Sequence, residues 1–390
     1  MRSTHLSALL TGLPRGASVT RVLSAVSALA LASLAGCSDP PDHGAPPPPE
    51  RPALDAAAVA RGEADYARYC ALCHGAQAEG YAADHANALG NDDFLRIASD
   101  AFLRTAIEDG HQGTPMSGWH RRHGGPLSDA NISDLVTYLR SLGDGTTTDV
   151  ASTRVVGDRA HGATLFAANC AVCHGPAGEG ATAVSLNSPT FQHSASDGFV
   201  RETIAHGRAG TPMRAFDADL ASQDIDDLTA FVRALPARAA AAPPPMGPPP
   251  PALSDIVLNP TAESPSFTSR ENRFVSGDAV RAALEAHQRI ILIDARAPSA
   301  WAEGHIPGAI PFPFYEAPAL IEHIPDEDTW VIAYCACPHA ASGHVVDAVQ
   351  QAGHARAAIL DEGISWWTAQ GYPVERGSVP EGTTGGPPAH

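Results

Sequence analysis

Positive charge, methionine, spare cysteine and long apolar runs are all scarce in this chain, and each shortage excludes something. Lysine and arginine total 25 against 43 aspartates and glutamates, for a formal net charge of −18. That balance argues against a nucleic-acid binder, which needs a basic patch. It leaves a solvated acidic face that suits a basic partner. The longest apolar stretch, Val22 to Ala35, falls short of the roughly 20 residues an α-helix needs to cross a bilayer, and no other segment is better placed. Methionine occurs four times in 390 residues. Met1 is the start and Met246 lies in a proline tract, so only Met116 and Met213 remain in patterned sequence. Of seven cysteines, four sit in a paired motif, one ends the apolar stretch and two stand together late in the chain. No pair is left over for a structural disulfide.

The paired motif is the strongest signal. Cys70-Ala71-Leu72-Cys73-His74 recurs as Cys170-Ala171-Val172-Cys173-His174. C-x-x-C-H is the attachment pattern of c-type haem. Two thiols at this spacing each form a thioether to one haem vinyl group, and the adjacent imidazole is held under the ring as an iron ligand. The repeat extends both ways. Gly62, Tyr66 and Cys70 match Gly162, Phe166 and Cys170. Glu79-Gly80 matches Glu179-Gly180, and Gly113-Thr114-Pro115-Met116 matches Gly210-Thr211-Pro212-Met213. Each copy closes on a helical stripe, Ile132, Leu135, Val136 and Leu139 in the first, Ile225, Leu228 and Val232 in the second. Ser128 is placed to cap the first of these helices. A thioether opposite histidine raises haem potential, so Met116 and Met213 are the expected sixth ligands. His111, His120, His123, His193 and His206 are the competing donors, and none recurs at a matching position.

Residues 57–145 and 155–237 each resemble a class I cytochrome c domain, and the pair is similar to dihaem cytochromes of bacterial envelopes. The resemblance implies two all-α domains and two covalently bound haem c groups. It implies that Cys70, Cys73, Cys170 and Cys173 carry the haems and that His74, Met116, His174 and Met213 are the axial iron ligands.

The N-terminus carries Arg2, Arg15 and Arg21 before the apolar stretch, the form of a secretory signal. It ends in Leu34-Ala35-Gly36-Cys37, which resembles a bacterial lipobox, with Cys37 as the lipidated residue. The expected organisation is a lipoprotein signal peptide at 1–36 and a proline-rich tether at 37–56. The two haem domains follow, then a proline-rich linker at 238–272, a third domain at 273–377 and a flexible tail at 378–390. Little sequence separates the haem domains, so they are expected to pack together.

After Phe274 the pattern alternates strands with helices. Arg289 to Asp294, Trp330 to Tyr334 and Ala357 to Leu360 read as strands, and Gly343 to Gln351 as a helix, giving a mainly parallel α/β sheet. Ligands gather at the carboxyl ends of such strands. Cys335 stands at one, before a helix N-terminus whose N–H groups lower a thiol pKa. The residues resemble the rhodanese family. The match includes Leu292 to Arg296, Glu303-Gly304-His305-Ile306-Pro307-Gly308-Ala309-Ile310, Leu360 to Gly363 and Gly371-Tyr372-Pro373. The resemblance implies that Cys335 carries sulfane sulfur; the neighbouring thiol of Cys337 is expected to resolve a persulfide or sulfenate on it. The loop Cys335 to Ser342 contains no arginine, lysine or glycine, so thiosulfate is a poor fit and His339 is its one source of positive charge. Asp294, Arg296, Glu303 and His305 are expected to fix loops.

Together these readings describe a multidomain electron carrier. It is expected in the bacterial envelope, facing the periplasm and lipid-anchored, passing electrons among redox partners of a respiratory chain. Its rhodanese-like domain links it to sulfur compounds, with a small sulfur-compound donor as a partner. Two alternatives stand beside this: a sulfur-compound dehydrogenase or sulfurtransferase acting on Cys335, and a simple carrier whose third domain docks partners.

Overall fold

The computed structural model describes residues 53–238, 244–325, 328–336 and 339–378. The apolar stretch, Cys37, Cys337, Pro338 and the final residues from 379 lie outside the described residues, as does most of the expected tether.

Five helices are laid down and then repeated. The first copy has α1 (Ala56–Tyr69), α2 (Ala71–His74), α3 (Asp92–Ile97), α4 (Asp100–Asp109) and α5 (Asp129–Leu142). The second has α6 (Arg159–Asn169), α7 (Ala171–His174), α8 (Pro189–Ser194), α9 (Asp197–His206) and α10 (Ser222–Val232). Each opens on an aspartate cap: Asp55 accepts from the Ala57 N–H at 3.0 Å and Asp158 from the Ala160 N–H at 2.8 Å. Ser128 caps α5 as expected, in a reciprocal box with Asn131. The apolar stripes of α5 and α10 are buried.

The repeated glycines explain how first and last helices cross. A Cβ on Gly62 would stand 2.1 Å from the Asp134 carbonyl oxygen, and one on Gly162 2.1 Å from that of Asp227. No side chain fits between the helices at either point. Beside this crossing Tyr66 packs on Tyr138 and Phe166 on Phe231, at ring separations of 5.3 and 5.2 Å. The two copies share one apolar cluster, joined where Phe102 meets Phe199 at 4.7 Å.

The third domain is an all-parallel sheet of β1 (Phe274–Val275), β2 (Ile290–Asp294), β3 (Ile310–Pro311), β4 (Trp330–Tyr334) and β5 (Ala357–Leu360), in the order β1-β5-β4-β2-β3. Its helices are α11 (Gly277–Glu285), α12 (Pro298–Glu303), α13 (Ala317–Ile321), α14 (Ala340–Gln351) and α15 (Gly363–Ala369). β2 and β5 are buried along their whole length, as continuous apolar strands covered on both faces must be.

The sequence predicts that residues 238–272 separate the haem pair from this domain. The described part of that segment instead lies along it. The Gly247 N–H donates to the Arg376 carbonyl at 2.9 Å, the Leu258 N–H to that of Ile290 at 2.8 Å, and Ile256 is buried. The third domain also rests directly on the first copy. Tyr315 stands edge-on to Tyr69 at 4.9 Å and meets Trp119 at 6.1 Å. The Ser299 hydroxyl donates to the Gly118 carbonyl at 2.7 Å in a buried setting, and Leu72 packs against the third domain's core. Among the described residues no helix is long and apolar enough to cross a membrane.

Candidate functional site

Both copies build the same cradle. The C-x-x-C-H residues form one tight turn, in which the His74 and His174 N–H groups each donate to the carbonyl of the first cysteine at 3.0 Å. The turn ends at Gly75 and Gly175, with φ of +84° and +80°. A Cβ there would also strike the carboxylates of Glu79 and Glu179. His74 Nδ1 lies 2.9 Å from the Asn87 carbonyl oxygen, and His174 Nδ1 2.9 Å from that of Val184. An N–H donated at Nδ1 fixes the tautomer and leaves Nε2 as the metal donor. Burial lowers both imidazole pKa values, favouring the neutral form that binds iron. Burial also pushes the Cys70 and Cys73 thiols up to about 12 and the Cys170 thiol up to about 11. The site therefore disfavours thiolates and accepts the uncharged sulfur of a thioether.

The methionine loops match as well. The His111 N–H donates to the Met116 carbonyl at 2.7 Å, and the Arg208 N–H to the Met213 carbonyl at 2.8 Å. The Met116 and Met213 N–H groups donate to the Thr114 and Thr211 hydroxyls, both at 3.2 Å. His111 and Arg208 thus hold equivalent loop positions. Burial, with a smaller contribution from nearby His74, lowers His111 to about 4. Burial lowers Arg208 to about 10, and its Nε has no hydrogen-bond partner. An orphaned guanidinium beside His174 suits an anionic group such as a haem propionate. The donor set, the tautomers and this orphaned group all fit c-type haem.

The competing histidines sort by environment. His123 pairs with Asp109 at 2.8 Å, His206 with Glu202 and Asp217 at 3.3 Å each, and His120 lies 3.6 Å from Asp129; His193 is exposed. Among these, His111 is half-buried and lies close enough to His74 for their charges to interact. His161 clusters with Asp224 and Asp227, its Nδ1 2.8 Å from Asp227. Arg61 and Asp134 make the equivalent pair in the first copy, so this cluster is a repeated helix-to-helix ion pair.

Cys335 lies at the carboxyl end of β4, 5% exposed, with Sγ 3.2 Å from the Ser342 hydroxyl. The lowered thiol expected there is not found. Burial outweighs the Ser342 hydroxyl and the Ser342 and His339 N–H groups, so the pKa rises; Asp84 raises it further. His339 does not supply the pocket's positive charge either, since its Nε2 turns to the carbonyl of Asp361. The four residues expected to fix loops are largely placed to do so. Arg296 holds Asp294 through Nε at 2.9 Å and Nη2 at 2.6 Å and reaches the Gly304 carbonyl, while His305 stacks on Trp301 at 3.9 Å.

Sequence reasoning missed Asp84. It belongs to the first haem domain, yet its field acts on Cys335 and on Cys73. Burial raises its carboxyl to about 6, with His339 pulling the other way, and Oδ1 is buried without a partner. One signal was available. The first copy runs from Gly80 to Asn87 where the second runs only from Gly180 to Val184, and Asp84 sits in the longer loop.

Fold and site define two helical haem-binding domains and a domain with a rhodanese-type sheet. Residues 57–139 match the family described as cytochrome C oxidase, cbb3-type, subunit III, residues 160–236 that of cytochrome c, and residues 276–370 the rhodanese-like domain. The chain is 32% identical over 197 residues to a cbb3-type cytochrome c oxidase subunit FixP of Azorhizobium caulinodans, covering 48% of this chain and 62% of that protein. It is 32% identical to the FixP subunit of a Bradyrhizobium species, covering 54% of this chain and 68% of that protein. A sulfurtransferase of Allochromatium vinosum matches at 30% identity, over 28% of this chain and 96% of that protein. The chain thus spans about six-tenths to seven-tenths of the oxidase subunits it resembles. It belongs to the c-type cytochrome family through its first two domains and to the rhodanese-like family through its third, and it carries two c-type haems.

Proposed function

We propose that this dihaem cytochrome is an electron carrier of a respiratory chain whose rhodanese-like domain handles sulfane sulfur on Cys335. When bound, the haems supply reversible one-electron chemistry that no side chain provides. Cys70, Cys73, Cys170 and Cys173 hold them through thioethers, His74 and Met116 ligate the first iron, and His174 and Met213 the second. The oxidase subunits among its relatives support redox partners in the respiratory chain, and the secretory form of the N-terminus supports a periplasm-facing site. Leu34 to Cys37 supports a lipid anchor, and Cys37→Ser is expected to release the protein from membranes.

The observation that carries the sulfur reading is the packing of the first C-x-x-C-H turn on the domain that bears Cys335. Leu72, between the two haem cysteines, packs on the core of the third domain, the domain in which Cys335 ends β4. The domain bearing that thiol is therefore set against a haem-binding turn of the same chain. A second reading, in which the third domain only docks partners, is favoured by the buried thiol and its raised pKa. Incubating the haem-loaded protein with a small hydropersulfide, trapping with an alkylating reagent and mapping Cys335 by mass spectrometry separates them. Extra sulfur on Cys335 supports the first reading; its absence leaves the docking module.

A further inference from the structure

We propose that each haem domain positions the axial methionine of the other. Asn91 and Asp93 of the first domain hold the loop that carries Met213, and Thr190 and Arg238 of the second hold the loop that carries Met116. The proposal rests on the reading that these two methionines ligate iron.

The observation is a reciprocal exchange between the copies. Asn91 stands at the cap of α3 and Ser188 at the cap of α8, so Asp93 and Thr190 hold equivalent places just inside those helices. From the first copy, Asn91 Nδ2 donates to the Ala209 carbonyl at 2.9 Å, and Asp93 accepts from the Ala209 N–H at 2.8 Å. From the second, the Thr190 hydroxyl donates to Gln112 Oε1 at 2.8 Å, and Arg238 donates to the Gly113 carbonyl at 2.9 Å. Gln112 and Ala209 are themselves equivalent, each four residues before its methionine. The Arg208 guanidinium also lies over the Phe94 ring of α3, 4.6 Å from its centre. The same helix end in each copy thus grips the same loop position in the other.

The loops carry that grip to the methionines. The Thr211 hydroxyl donates to the Arg208 carbonyl at 2.9 Å and accepts from the Met213 N–H at 3.2 Å. The Thr114 hydroxyl makes the same two bonds, to the His111 carbonyl at 2.7 Å and from the Met116 N–H at 3.2 Å. Each loop is tied to itself, so fixing Ala209 or Gln112 restrains the methionine beyond it. A thioether brings no charge to the iron, and its hold depends on how little freedom the loop must give up. Loosening it lowers the haem potential, because the thioether favours ferrous iron.

Redox titration of the full-length, haem-loaded protein, followed by proton NMR of the iron-bound methionine methyl groups, tests this. Met116→Ala and Met213→Ala each remove one signal and so assign the two haems. Asn91→Ser combined with Asp93→Ala removes both bonds to Ala209, while the serine keeps a cap on α3. In this double variant the ferrous preference of the second haem is expected to fall on the order of tenfold, about what one hydrogen bond contributes. The first haem, in whose own domain the substitutions lie, is expected to be unmoved. Arg238→Ala is expected to shift the first haem alone. Asp93→Asn keeps an acceptor and removes the charge, and is expected to leave the second haem at its wild-type value. Should the double variant fail to load haem, Asn91→Ser alone is measured in its place. An unmoved second haem, or an Asp93→Asn shift as large as that of the double variant, overturns the positioning role and leaves the ligand reading intact. If Met213→Ala removes no signal, Met213 is not the ligand, and that reading falls together with this one.

Discussion

Leu72 and Val172 hold the same position in two copies of one motif, yet Leu72 packs against the core of the rhodanese-like domain while Val172 is 81% exposed. The duplicated turn has thus been put to two uses. The first faces a domain of the same chain. The second presents its apolar edge outward, where a partner protein can reach it. Internal repeats make such a difference readable, because each copy is the control for the other.

The axial assignment is tested by substituting the methionines one at a time. Met116→Ala and Met213→Ala are each expected to change the ligand-field spectrum of one haem and lower its potential, because the thioether favours ferrous iron. Redox titration of each variant reads the shift. If Met116→Ala leaves the spectrum unchanged, His111 is the donor in the first copy, since it is the competing histidine half-buried near His74.

Gly62→Ala and Gly162→Ala place a methyl 2.1 Å from a facing carbonyl oxygen. Each is expected to destabilise its domain by about 1–3 kcal/mol through forced separation of the helices. Thermal unfolding followed at the haem band measures this, and equal melting temperatures would show that the crossing relaxes freely.

Tyr315 yields opposite signs for two substitutions. Its ring fills the interface with Tyr69 and Trp119, so Tyr315→Ala should cost about 3 kcal/mol and open the interface to limited proteolysis. Its buried hydroxyl has no partner, so Tyr315→Phe should be neutral or stabilising by up to about 1 kcal/mol. Denaturant melts of the two variants against wild type check both signs.

Asp84 also predicts a pH dependence. Its carboxyl is raised from 3.8 to about 6, so the folded state holds the proton more tightly than the unfolded chain does. Its contribution to stability is present below the unfolded value and is lost as pH rises through about 6. Wild type should therefore lose stability relative to Asp84→Asn across that window. Melting temperatures of both proteins, taken at intervals between those values, measure the difference.

Much of this was legible in the sequence, and the limits have physical causes. The haem cradles were legible because covalent attachment fixes residue types and spacing, and duplication repeated the signal at Gly62, Cys70 and Met116. β4 and Cys335 were legible from a continuous apolar run that ends at a thiol. The direction of the Cys335 pKa was not, since a helix N-terminus can be read locally whereas burial depends on the whole fold. The docking of the third domain was not legible either. Tyr69, Trp119 and Tyr315 come from separate segments, and each is an ordinary core aromatic until the chain brings them together. The proline tract suggested separation. The pairings of Gly247 with Arg376 and of Leu258 with Ile290, which overrule it, join residues far apart in sequence.

The central claim is that a sulfur-bearing thiol and a haem-binding turn work as a unit. It is tested most directly by mixing the oxidised protein anaerobically with sulfide or a small hydropersulfide while following haem absorbance, in wild type and in Cys335→Ser. The account predicts rapid haem reduction in wild type and its loss, or a slowing on the order of a hundredfold, in Cys335→Ser, a change of about 2.7 kcal/mol in barrier. Reduction at the same rate in both proteins would contradict it.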